Sequence, residues 1–186
     1  MTAANGHRPR SGLADEGTGD WAIRLQGTTL NTATMMGTDY LNHFNEAIMI
    51  LEMLPAMPEG IQDLAAWHPL TYPEHFRRSR LPYAPLAVLA FDAAPETCRR
   101  ALDLVVERMN AQLLDAIDAV VMAATSDQWE VVHDVAHAAT PDLRRLVQLA
   151  ADIINGVRLI ESAADMDRHL AASGGLGQDE IDGLFA

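Results

Sequence analysis

From Leu102 to Val120 the apolar residues recur in steps of four and three: Leu102, Val106, Met109, Leu113, Ala116, Val120. A spacing of that kind puts every apolar side chain on one seam of a helix and demands a second apolar face to cover it. Pro95 and Glu96 supply a start, so the pattern predicts one long helix to about Ala124. A matching face exists downstream. Leu143, Leu146, Val147, Ala150, Ile154, Val157 and Ile160 follow the same rhythm. Thr140-Pro141 reads as the cap and first residue of a helix reaching about Leu170, preceded by a shorter one opened by Ser126 or Asp127 and ending near Ala139.

Upstream, Tyr40, Leu41, Phe44, Ala47, Ile48, Leu51 and Leu54 predict a helix between about Asn31 and Pro55, with Gly37 interrupting it and Thr38 a second candidate start. Pro58-Glu59 opens a short helix through Trp67. A passage with Pro69, Pro73, Pro82 and Pro85 leaves room for a turn at Glu74–Arg78 and a short helix over Pro82–Phe91. Clear strand alternation is absent beyond short ambiguous runs, and no internal repeat is evident. The expected fold is an all-α bundle of four main helices plus short ones. Residues 1–20 are polar and Gly-rich and are expected to lack structure. Trp21–Leu30 reads as an extended or irregular lead-in, residues 21–172 form the bundle, and residues 173–186 form a hinge and a terminal peptide.

With 49% hydrophobic residues the chain can build a core, and its net charge of −13 disfavours nucleic acid and anionic membranes, which need clustered Lys and Arg. No stretch approaches the length of about 18 apolar residues that a membrane helix needs. No apolar core follows Arg8 and Arg10, so no secretory signal is expected and a cytoplasmic location is the default. Cys98 is the single cysteine, which excludes an intramolecular disulfide and a cysteine zinc cluster. The nine methionines, Met35, Met36, Met49 and Met53 among them, suit core packing or an adaptable helix interface such as a homodimer. Trp21, Trp67 and Trp129 read as core or interface anchors.

The terminal peptide reads LGQDEIDGLFA behind Ser173-Gly174-Gly175. Ile181, Leu184 and Phe185 fall at i, i+3 and i+4, with Asp179, Glu180 and Asp182 on the opposite face of a helix. So short a helix is marginal alone and orders on a partner. Leu176, Gln178, Asp179, Glu180, Ile181, Asp182, Leu184 and Phe185 together resemble the segment by which the flagellar switch protein FliM captures phosphorylated CheY. CheZ-type CheY phosphatases end in a docking peptide of similar design. The resemblance covers only these residues. It implies a CheY-type response regulator as partner, in chemotaxis or flagellar motility. Gly177 stands where the switch peptide usually has the better N-cap Ser, and Gly183 where Ala is common, at a cost of about 1 kcal/mol. Both departures imply weaker docking.

The body offers two acid–amide sets. Asp39, Asn42, His43 and Glu46 lie at i, i+3, i+4 and i+7 and would share one helix face. Glu107 and Asn110 are three apart on the long helix and resemble the acid-x-x-Asn pattern of CheC/CheX phosphatases. A phosphatase acting on a receiver needs little more than an amide to aim water and a nearby carboxylate. The receiver itself supplies the phosphorylated Asp and Mg²⁺, so no cofactor of the chain's own is expected. The Asp-xxx-Gln arrangement of CheZ is not evident. A non-enzymatic adaptor fits the same tail. Glu130, His133 and His137 on one helix offer a third reading, a metal-binding bundle, although the chain lacks a clearly matching second ExxH and no metal site is expected. His68 and His75, beside prolines, read as loop residues.

Overall fold

The computed structural model describes residues 16–174, and the expected docking peptide, Leu176–Ala186, lies outside them. Among the described residues the fold is all-α, as expected, with one isolated bridge between Leu30 and Gly37 in place of any strand. The helices are α1 (Glu16–Arg24), α2 (Asn42–Met53), α3 (Ile61–Ala66), α4 (Tyr72–Arg78), α5 (Ala84–Ala93), α6 (Glu96–Thr125), α7 (Trp129–Ile154) and α8 (Ala163–Gly174). Short 3₁₀ turns, Thr38–Leu41 and Pro58–Gly60, lead into α2 and α3. No described helix is long and apolar enough to cross a membrane.

The most extensive helix contact joins α6 to α7, and α2 lies against α7. Leu102, Met109, Leu113, Ala116 and Val120 are buried, as the heptad spacing requires. Val105, not Val106, completes the seam; Val106 is half-buried on the side that meets α4 and α5. Between α6 and α7 the chain reverses in three residues. Asp127 takes the left-handed conformation (φ 56°), Asp127 N–H reaches Ala124 O at 3.0 Å, and Gln128 N–H reaches Ala123 O at 2.9 Å. This is a Schellman ending with Asp where Gly is usual, so Asp127 closes α6 and does not cap α7.

Two expected boundaries in and around α7 differ. Helix α7 runs unbroken through Pro141. A proline at that place removes one hydrogen bond and crowds the carbonyl of His137. Both residues face solvent, where that carbonyl can turn to water, and Thr140 Oγ1 donates to Ala136 O at 2.6 Å. The helix then ends at Ile154 instead of reaching Leu170. Asn155-Gly156 stops it: Gly156 has φ 71°, and Val157 N–H closes onto Asp152 O at 2.9 Å.

Asn31–Gly37 is a pinned loop, not the first turns of α2. Asn31 Oδ1 accepts from Ala33 and Thr34 N–H at 2.8 and 3.0 Å, which holds the chain out of the helix. Thr34 Oγ1 donates to Ile154 O, and Asn31 Nδ2 donates to Asn155 O at 3.2 Å. The loop therefore satisfies carbonyls that the end of α7 leaves open. Gly37 leaves room for the Leu30 side chain, since a Cβ there would sit 2.7 Å from Leu30 Cδ2 and would force that methyl to move. At the other end of the lead-in, Glu16–Arg24 is helical, so helix replaces both the unstructured end of residues 1–20 and the extended or irregular start of Trp21–Leu30 that the sequence suggests.

Candidate functional site

The surface around the first turn of α2 is built by side chains that clamp the segment between α3 and α4. Trp67 Nε1 donates to His43 O at 3.1 Å, and His43 Nε2 donates to His68 O at 2.9 Å. The His43 and Trp67 rings stack at 4.8 Å and 20°. Tyr40 OH donates to Leu70 O at 2.8 Å. Thr71 and Glu74 then form a capping box that starts α4. Arg78 Nη1 lies 2.9 Å from His68 Nε2; an arginine only donates, so His68 Nε2 accepts and Nδ1 can donate to Ala66 O at 3.3 Å.

Beneath this clamp lies an aromatic nest. Tyr40 packs edge-on to Phe44 at 5.6 Å and to His75 at 5.7 Å, and Tyr72 stacks on Phe91 at 4.4 Å. His75 sits half-buried within α4, not in a loop. Burial lowers the pKa of both His43 and His75. For His43 the neighbouring His75, His68 and Arg78 push the same way, against its bond to the His68 carbonyl. For His75, Asp39 opposes burial through its charge and its backbone carbonyl.

The four α2-side residues separate into three environments. Asn42 and Glu46 are exposed and one turn apart on α2. His43 is committed to the clamp, and it shares a shallow groove of about 410 Å³ with Glu46, Asp63, Trp67 and His68. Asp39 belongs to the 3₁₀ turn, where the chain advances about three residues per turn. Its carboxylate accepts from Tyr83 OH at 3.0 Å and from Thr29 Oγ1. Asp39's carboxylate is thereby engaged by Thr29 and Tyr83, whereas Asn42's amide is exposed.

Glu107 and Asn110 line a different cleft, of about 520 Å³, between α6 and the start of α4, with Tyr40, Glu74, Asp103 and Phe91 on its walls. Asn110 Oδ1 is buried and has no hydrogen-bond partner. Half of that amide is turned inward, so it does not project as Asn42 does. Burial, followed by the Glu107 charge, raises the Asp103 pKa, and burial with Asp103 and Glu74 raises that of Tyr40. Glu130, His133 and His137 are exposed on α7, and no group of three or more His, Cys, Asp or Glu that could hold a metal ion is found among the described residues. Trp21, Trp67 and Trp129 pack against the core; Met35 and Met36 are buried, while Met49 and Met53 are open to solvent.

Sequence reasoning missed Asp63, Trp67 and His68 as neighbours of the α2 face, and Thr29 and Tyr83 as partners of Asp39. Their contacts span from 10 to 44 positions or depend on loop paths, which periodicity does not encode. Comparison of the chain with protein-family models, with curated proteins and with solved structures finds no match.

Proposed function

We propose that the chain binds a phosphorylated CheY-type response regulator through Leu176–Phe185 and presents Asn42 and Glu46 to its phosphoaspartate. The tail carries this reading: LGQDEIDGLF combines an apolar i, i+3, i+4 triplet with an acidic face and resembles the switch-protein peptide. The body contributes an exposed amide and an exposed carboxylate one turn apart, and of the two acid–amide sets only this one is open enough to enter another protein's site. In the proposed step the Asn42 amide orients a water molecule. Its oxygen adds to phosphorus as the acyl-phosphate P–O bond breaks, leaving the Asp carboxylate and inorganic phosphate, with Mg²⁺ supplied by the receiver. The setting is chemotaxis or flagellar motility.

Calorimetry with phosphorylated and unphosphorylated receiver tests the binding half. Ile181→Ala and Phe185→Ala should each weaken binding roughly tenfold or more, since buried apolar anchors carry such interfaces. Undiminished binding after deletion of Leu176–Ala186 overturns it. Phosphate release tests the chemical half: Asn42→Ala should abolish the acceleration and spare binding, while Asn110→Ala should leave it in place. Tight binding with no acceleration by the wild-type chain makes the protein an adaptor.

A further inference from the structure

We propose that the groove along α5 is an intramolecular seat for the chain's own tail, Leu176–Ala186, which holds the tail back from outside partners. The groove encloses about 730 Å³ and is lined by Phe76, Leu81, Val88 and Leu89, with Arg77 and Arg80 beside them. Phe76 is buried, whereas Leu89 is 52% exposed, a large apolar side chain with nothing over it. Arg77 and Arg80 are both exposed, and neither enters an ion pair among the described residues. In a chain with 26 acidic residues and 13 basic ones, two unpaired guanidiniums flanking an apolar groove form a distinctive recognition surface.

The tail has the complementary chemistry. It carries Asp179, Glu180 and Asp182 with no basic residue, and its Ile181, Leu184 and Phe185 form one apolar stripe. Helix-in-groove docking of this kind matches apolar anchors to the trough and acids to the arginine rim. With the hinge from Gly174 to Gln178 extended at about 3.4 Å per residue and the rest helical at about 1.5 Å per residue, Phe185 reaches roughly 24 Å from Gly174, against a radius of gyration of roughly 16 Å for a fold of this length. The local concentration of a tethered peptide lets even a weak contact form. A tail seated there lowers the fraction competent for an outside partner and raises that partner's apparent Kd in proportion. The inference rests on the amphipathic tail, as the receiver reading does, but not on the receiver being its partner.

The test uses the full-length chain without any receiver, so it can fail while receiver binding stands. In a Cys98→Ala background, a nitroxide is attached through Ala186→Cys, and the Val88 and Leu89 methyl signals are followed by NMR. Expected is their selective loss, with return of the signals on reduction of the nitroxide, in the Arg77→Glu/Arg80→Glu variant, and in a Phe185→Ser variant. The last leaves the described fold untouched and keeps the test valid if the arginine variant misfolds. Losses spread evenly over the surface, or unaffected by these substitutions, overturn the proposal. Losses that persist when spin-labelled, isotope-free chains are mixed with unlabelled, isotope-enriched ones place the tail on a second copy and overturn it too.

Discussion

Where α6 runs along α7, the contact is made by side chains such as Leu113, Val120, Leu143, Leu146 and Ala150, all buried and none carrying a polar atom. The segment from Thr29 to Phe91 is held differently. There Tyr72 OH accepts from Gly37 N–H at 2.7 Å, Tyr40 OH reaches the Leu70 carbonyl, Trp67 Nε1 donates to the His43 carbonyl, and His43 Nε2 donates to the His68 carbonyl. Apolar seams are non-directional and tolerate small shifts. A hydrogen-bonded clamp does not, because a buried group that loses its partner carries the full desolvation cost. The surroundings of Asn42 and Glu46 are therefore held by directed bonds as well as burial, whereas the α6–α7 pair is held by apolar burial.

The sharpest way to break this comparison is to truncate each region in turn. Leu113→Ala removes a fully buried side chain from the seam and should cost about 3–4 kcal/mol, read by urea denaturation. Tyr72→Phe keeps the ring stacked on Phe91 but leaves the buried Gly37 N–H unpaired, and should cost about 1–2 kcal/mol. If the second loss equals the first, the two regions do not differ in the way described. Thr71→Ala removes an exposed capping box and should cost about 1 kcal/mol or less. A cost near zero there would mean that the Tyr40 and His43 bonds alone hold the clamp.

Legibility follows the same division. The α6 seam could be read because its packing partners repeat along one helix face, and Pro95-Glu96 marks its start within a residue. Pro141 misled because Thr-Pro normally opens a helix; the continuous α6 surface beneath it and the solvent beside it overrule that local signal. The Asn155-Gly156 stop was present in the sequence and outweighed by apolar spacing that continued to Ile160, which is buried after the helix has ended. At the candidate site, residue types and the one-turn spacing of Asn42 and Glu46 were readable. The engagement of Asp39 by Thr29 and Tyr83 was not, since it depends on partners elsewhere in the chain.

The smallest effect concerns pH and probes the clamp without deleting it. His43 and His75 both have pKa values lowered by burial from an ordinary value of about 6.5. Below that value the unfolded chain takes up protons that the folded chain still refuses. Stability therefore rises with pH in this range; it is fully present above about 6.5 and is lost as pH falls through the lowered folded values. Both rings are partly open to solvent, so the change should be modest. His43 is the more informative of the two. Its Nε2–H is used by the His68 carbonyl, so an added proton must go to Nδ1, next to a stacked Trp67 and near Arg78. Melting temperature at pH of about 7.5 and 5.5 should fall for the wild-type chain, and fall less for His43→Gln, whose amide can still donate to that carbonyl. An identical fall in both proteins would show that His43 does not carry the pH sensitivity.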